Sequence, residues 1–173
     1  LENGLKWRIW EISGEKGQAR TRKALDWLKE HQFPVRGHVM VWPGYRHLPK
    51  RIKDLAQDQE KLRKAIDDHI RTIAEVAGTQ VHEWDVLNEV FANRDLTNLL
   101  GDKEMVHWFK LAHEVAPHAR LYYNDYAGLV RGGFPTGHKQ HYEDTLRYLQ
   151  DNGAPISGVA IQGHFGSLLT PPH

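Results

Sequence analysis

The sequence has no cysteine, which excludes disulfides and thiol catalysis and leaves the redox compartment open. It also lacks any apolar run approaching the about 18–20 residues of a membrane-crossing helix. No glycine-rich phosphate loop of the G-x-G-x-x-G or P-loop type occurs, so nothing marks a nucleotide site. Nor is there an excess of charge of one sign, since 23 Lys and Arg stand against 22 Asp and Glu. The cations are spread through the helices among acids, which argues against nucleic-acid binding. Twelve histidines are present, but no H-E-x-x-H occurs, and His107 and His113 lack carboxylates at ligand spacing. No metal and no cofactor are called for.

What is present is 173 residues, 40% hydrophobic and 26% charged, enough for one domain spanning 1–173. Four segments share one plan: a short apolar run, a polar cluster at its C-terminal end, then in most cases an amphipathic helix. The runs are Val35–Trp42, Val81–Glu89, Arg120–Tyr126 and Gly158–Phe165, with starts 46, 39 and 38 residues apart. The opening Leu1–Trp7 reads as a truncated fifth copy.

The intervening helices are marked by their periodicity. After Asp58, an N-cap candidate, Leu62, Ile66, Ile70, Ile73 and Ala77 recur at three- and four-residue steps up to Gly78. Met105, Trp108, Phe109, Ala112 and Ala116 form a second stripe ended by Pro117. Tyr142, Leu146 and Leu149 form a third, closed by Gly153, and Ala24, Leu25 and Leu28 suggest an earlier helix. The charge run Lys50–Lys64 reads as a solvated helix face. Trp84 and Asp85 read as structural. Trp27 and Trp108 read as core, and His69, His82, His118, His138 and His141 as packing or solvent-facing residues.

Alternating strands and helices at about 40 residues per unit imply parallel strands with right-handed crossovers, in a doubly wound sheet or a (β/α) barrel. The strand ends favour the barrel, whose active sites collect at the C-terminal ends of several strands. His38 and Trp42 end one run, and Asn88 and Glu89 the next. Asn124, Asp125 and Tyr126 follow, then Gln162 and His164. Amides, hydroxyls and imidazoles can bond many sugar hydroxyls, while Trp can lie against the apolar face of a sugar ring. Sugar hydrolysis also needs a carboxylic acid able to protonate a leaving oxygen, and Glu89 is the best candidate.

These segments resemble the strand motifs of glycoside hydrolase family 10, the endo-1,4-β-xylanases. Trp84-Asp85-Val86-Leu87-Asn88-Glu89 is similar to that family's acid/base strand. Glu2-Asn3-Gly4-Leu5-Lys6-Trp7 resembles its second strand, Val35-Arg36-Gly37-His38-Val39-Met40-Val41-Trp42 its third, and Leu121-Tyr122-Tyr123-Asn124-Asp125-Tyr126 its fifth. Gly158-Val159-Ala160-Ile161-Gln162-Gly163-His164 resembles its sixth. The resemblance implies an α/β (β/α)8 TIM-barrel type fold, here an incomplete barrel covering about strands 2 to 6.

It also implies a retaining xylanase with Glu89 as general acid/base. Asn88 would bond the 2-hydroxyl of the sugar being cleaved, with His38 and Trp42 as the floor of that subsite. Glu2, Asn3 and Lys6 would contact this sugar and its non-reducing-side neighbour. Gln162 would set the surroundings of Glu89, His164 would bond the nucleophile, and Tyr126 would serve the leaving-group side. The implied partner is xylan or a xylo-oligosaccharide, in a family that is mostly secreted; no nucleic acid and no membrane are implied.

Two departures qualify this. The segment Ile9–Arg20 is unusual for the family. The family's nucleophilic glutamate stands on the seventh strand in a Thr-Glu-hydrophobic-Asp context, and this sequence contains no such stretch. The chain is therefore expected to be inactive alone. Alternatives are a non-catalytic sugar-binding fragment, one that self-associates through exposed barrel edges, or a related β-glucanase or mannanase.

Overall fold

A computed structural model of the chain describes residues 3–126, 128 and 134–164. Among these residues four strands form one parallel sheet in sequential order. They are β1 (Val35–Val41), β2 (Val81–Asn88), β3 (Arg120–Asp125) and β4 (Gly158–Ile161). Helix α4 (Gln59–Ala77) connects β1 to β2, α6 (Lys103–Val115) connects β2 to β3, and α7 (Gly137–Asp151) connects β3 to β4. Shorter helices are α1 (Trp7–Ile12), α3 (Lys50–Asp54) and α5 (Asp95–Leu100), and α2 (Gly14–Glu30) precedes β1. Parallel strands require such crossovers, and repeating the unit generates a (β/α) barrel, of which this sheet is a part.

The apolar stripe of α4 explains its place on the sheet. Leu62, Ile66, Ile70 and Ile73 are completely buried in a core shared with Val81, Trp84, Val86 and Leu121. The Asp58 side chain accepts from the Lys61 backbone N–H, satisfying an orphan donor of the first turn. Gly37 of β1 lies beside Trp84, where an added Cβ would come within 2.4 Å of the indole ring. On the opposite face of the sheet, Arg36 and His38 of β1 meet Asp85 of β2. Arg36 also lies over the Tyr122 ring of β3, 4.3 Å from its centroid. One sheet thus has a dry face toward the helices and a charged, polar face where the barrel interior would be.

Several expectations change. In the opening segment, Leu1 and Glu2 lie outside the described residues, and residues 3–6 form turns leading into α1 rather than a strand. The unusual Ile9–Arg20 segment is helical on both sides of Ser13, and Gly14, the first residue of α2, has the φ of +57° that the change of direction requires. Lys50–Lys64 comprises α3 and the start of α4 rather than one helix face. Trp27 is 51% exposed, stacked on His31 and Phe33 at the surface instead of buried in the core.

Buried His69 of α4 stacks flat on Trp7, with ring centroids 4.3 Å apart. Burial above all, with Arg51 assisting, pushes its imidazole down to about 3 against a bond to the Met40 carbonyl. The folded state thus binds fewer protons here than the unfolded chain, so this contribution is complete above about pH 6.5 and fades as pH falls toward 3. Urea denaturation midpoints are expected to fall across that window, and more shallowly in His69→Gln. Ile66→Ala is expected to cost about 2–5 kcal/mol in the same assay, through lost burial and the cavity left behind.

Candidate active site

The strand ends meet in an open cleft of about 350 Å³ lined by Lys6, His38, Trp42, Glu89, Asn124, Gln162, Gly163 and His164. Glu89 contributes the cleft's one carboxylate among the described residues. It directly follows β2, and its backbone N–H donates to the Asn124 carbonyl of β3 at 3.0 Å. Its φ of +52° lies in the left-handed region, uncommon for a residue with a Cβ, so the surrounding bonds must hold it there. The residue is 8% exposed. Gln162 Nε2 donates to its Oε1 at 2.8 Å, and Asn93 Nδ2 lies 3.4 Å from its Oε2.

Asn88 is oriented by the same amides. Its Oδ1 accepts from Asn124 Nδ2 at 3.0 Å and from Gln162 Nε2 at 3.2 Å. Because both partners are donors, the carboxamide cannot be turned over without setting NH2 groups against each other. Its own Nδ2 is buried with no hydrogen-bond partner among the described residues.

On β1, the His38 Nδ1–H donates to Asp85 Oδ2 at 2.9 Å. Asp85 Oδ1 in turn accepts from Arg36 Nη2 at 2.5 Å. With Nδ1 committed, Nε2 is the His38 nitrogen available to a ligand. Trp42 stands edge-on to His38, stacks on His47 with ring centroids 3.4 Å apart, and has Lys6 Nζ 5.5 Å from its ring centroid. Burial, followed by the charges of Arg46, Lys6 and Arg8, pushes His47 down to about 4, so the ring against Trp42 is neutral near pH 7. Trp42 Nε1 is likewise buried with no hydrogen-bond partner among the described residues.

The sequence-based candidates are therefore brought together unevenly. Asn88, Glu89 and Gln162 form one hydrogen-bonded group; Glu89 and Gln162 line the opening with His38, Trp42, Lys6 and His164, whereas buried Asn88 does not line it. Asn3 lies one step away: its Oδ1 accepts from Lys6 Nζ at 3.1 Å, and it lines an adjoining cavity that shares Lys6 and Trp42. Tyr126 does not line the cleft. Its ring meets His138 edge-on at 4.5 Å, and burial, then the charges of Asp125 and Glu89, raise its phenol. Glu2 lies outside the described residues. Sequence reasoning missed Asn93, which sits in a loop where periodicity gives no signal, and undervalued Asp85, which orients His38. His138, read as packing or solvent-facing, does pack, stacked on Phe91 at 4.5 Å, and its Nε2 also lies 2.8 Å from buried Asp125 Oδ1.

Comparison with known proteins places this geometry among relatives. The family described as "Glycosyl hydrolase family 10" matches residues 1–171. An "Endo-1,4-beta-xylanase B" of Paenibacillus barcinonensis is 33% identical over 153 residues, covering 82% of this chain and 44% of the relative. An "Endo-1,4-beta-xylanase A" of Humicola insolens is 31% identical over 174 residues, covering 94% and 43%. Among solved structures, the "Thermobacillus composti GH10 xylanase" superposes with a TM-score of 0.69 at 30% identity, over 83% of this chain and 42% of that one. The chain thus spans less than half the length of these relatives.

Asp85→Asn is expected to release His38 from a single ring orientation, because the new amide can donate as well as accept. Nitrogen-15 NMR of the imidazole is expected to show one tautomer in the parent chain and a mixture in the variant near pH 8.

Proposed function

The chain belongs to glycosyl hydrolase family 10, and from that membership we propose that it forms the acid/base side of a retaining endo-1,4-β-xylanase cleft. The observation that carries the reading is the bonded set in which Gln162 joins Glu89 to Asn88: Glu89 and Gln162 line one cleft, and the Nδ2 of buried Asn88 has no hydrogen-bond partner among the described residues. Glu89 would protonate the departing glycosidic oxygen and later take a proton from the incoming water. Asn88 Nδ2 would donate to the 2-hydroxyl of the sugar being cleaved, a bond that strengthens toward the transition state. His38 and Trp42 would form the floor under that sugar. Lys6, Asn3 and Glu2 would reach it and its non-reducing-side neighbour. Gln162 keeps Glu89 aimed, His164 would meet the nucleophile, and Tyr126 would serve the leaving-group side.

Retention needs two carboxyl groups about 5–5.5 Å apart, the second forming a glycosyl-enzyme intermediate. Among the described residues lining the cleft only Glu89 qualifies, and the sequence contains no Thr-Glu-hydrophobic-Asp stretch. The nucleophile must therefore be supplied from elsewhere for turnover to occur. The 173-residue chain is expected to bind xylo-oligosaccharides while hydrolysing xylan at no more than trace rates. Calorimetry and a reducing-sugar assay check this, and turnover near that of a complete family member contradicts it. Trp42→Ala is expected to weaken xylotriose binding about tenfold, through lost ring contact worth about 1.4 kcal/mol, whereas Glu89→Gln leaves binding nearly unchanged.

A second reading, self-association, is favoured by the outer strands. β4 ends the described sheet with Val159 and Ile161 each 48% exposed, a surface and an edge that another copy could cover. Light scattering across a concentration series is expected to show a rising mass; a constant monomer mass excludes this.

A further inference from the structure

Buried Asn93 stands four residues beyond Glu89 in the loop after β2. Its Nδ2 donates to the Glu89 carbonyl at 3.0 Å and reaches the Glu89 carboxylate at 3.4 Å. Its Oδ1 is held from the other side, where Arg46 Nε donates at 3.1 Å. Turning the amide over would set its NH2 against the guanidinium and its oxygen against the carboxylate, so Arg46 selects the end that faces Glu89. The same Nε lies 2.7 Å from His47 Nε2, a nitrogen kept unprotonated near pH 7 by burial and the surrounding cations.

Arg46 belongs to the loop after β1, and that loop is tied to the one after β2. The Tyr45 N–H donates to Asp95 Oδ2 at 2.8 Å, and the Leu96 N–H donates to the Pro43 carbonyl at 3.0 Å. Gly44 allows the two loops to close. Its φ of −97° and ψ of 134° suit any residue, but a Cβ there would fall 2.6 Å from Asn93 Oδ1. The glycine answers to the contact rather than to the backbone.

We propose that Asn93 is a positioning residue for Glu89, aimed by Arg46 and given room by Gly44, so that the loop after Trp42 also sets the proton affinity of the acid/base group. The proposal rests on reading Glu89 as that group. A donor on each carboxylate oxygen, Gln162 on Oε1 and Asn93 on Oε2, favours the charged form. Among the described residues, the titratable and charged groups facing Glu89 are Lys6 ahead of α1, His38 on β1, His164 beyond β4 and Tyr126 after β3, with Arg46 and His47 behind Asn93. None of these bonds the Glu89 carboxylate in the structure; Gln162 and Asn93, both neutral, do.

The test is a carbon-13 NMR titration of the Glu89 carboxyl in the 173-residue chain, which requires no turnover. Asn93→Ala is expected to raise the Glu89 midpoint by about half a unit to one unit, and Asn93→Asp by more, because a second carboxylate opposes ionisation. Arg46→Ala and Gly44→Ala, which only disturb the aim of Asn93, are expected to raise it by smaller amounts. Asn93→Ser, which keeps a donor, is expected to restore part of the parent value. Unmoved midpoints in folded Asn93→Ala and Asn93→Asp overturn the proposal. If those variants fail to fold, an unmoved midpoint in folded Gly44→Ala overturns it instead. Raised midpoints in a chain that binds no xylo-oligosaccharide would sink the xylanase reading while leaving the control of Glu89 by Asn93 standing.

Discussion

Gln162 Nε2 donates to Glu89 Oε1 and to Asn88 Oδ1 from beyond a strand two places away in the sheet. Those two bonds exist only while β2, β3 and β4 keep their register, in which Asn88 lies opposite Asn124 and Asp125 opposite Ile161. A slip of one residue would turn every one of these side chains to the other face. The dry side of the sheet enforces the register. Trp84, Val86 and Leu121 are completely buried, and shifting them would bring the charged face into the apolar core. Hydrophobic burial on one face thus holds the hydrogen-bond geometry on the other. The cleft inherits its rigidity from the packing under α4 and α6.

The charged face follows the same logic one layer lower. Arg36 joins Glu83 and Asp85 of β2 and lies against Tyr122 of β3, while Asp85 fixes His38. Such a network leaves each ionised group partnered even though Asp85 is nearly inaccessible. It carries orientation from the middle of the sheet to the ring nitrogen of His38 at the cleft. The motif residues and those that aim them are therefore separate sets, joined by hydrogen bonds across strands.

Much of this was legible in the sequence because it was periodic or locally clustered. The stripe Leu62, Ile66, Ile70 and Ile73 announced α4, and Asp58 and Gly78 marked its ends. Asn88-Glu89 and Gln162 were legible as polar groups ending apolar runs. Contacts of long sequence separation were not. Nothing local ties Arg46 to Asn93 or Gly44 to the loop 49 residues later. Trp27 misled because a helical apolar position does not reveal whether a neighbour covers it, and here His31 and Phe33 leave it half in solvent. The opening segment misled because its motif resembles a strand, whereas the described residues turn into a helix at Trp7.

The central claim is that separate strand ends build one sugar-holding cleft around a single buried, proton-donating carboxyl group. A crystal structure of the chain with xylotriose bound tests it most directly. The expected result is a xylose ring over Trp42, its 2-hydroxyl accepting from Asn88 Nδ2 and a glycosidic oxygen within hydrogen-bond reach of Glu89. An oligosaccharide seated away from this opening, or a Glu89 carboxyl turned from Gln162 and from the sugar, would contradict the account.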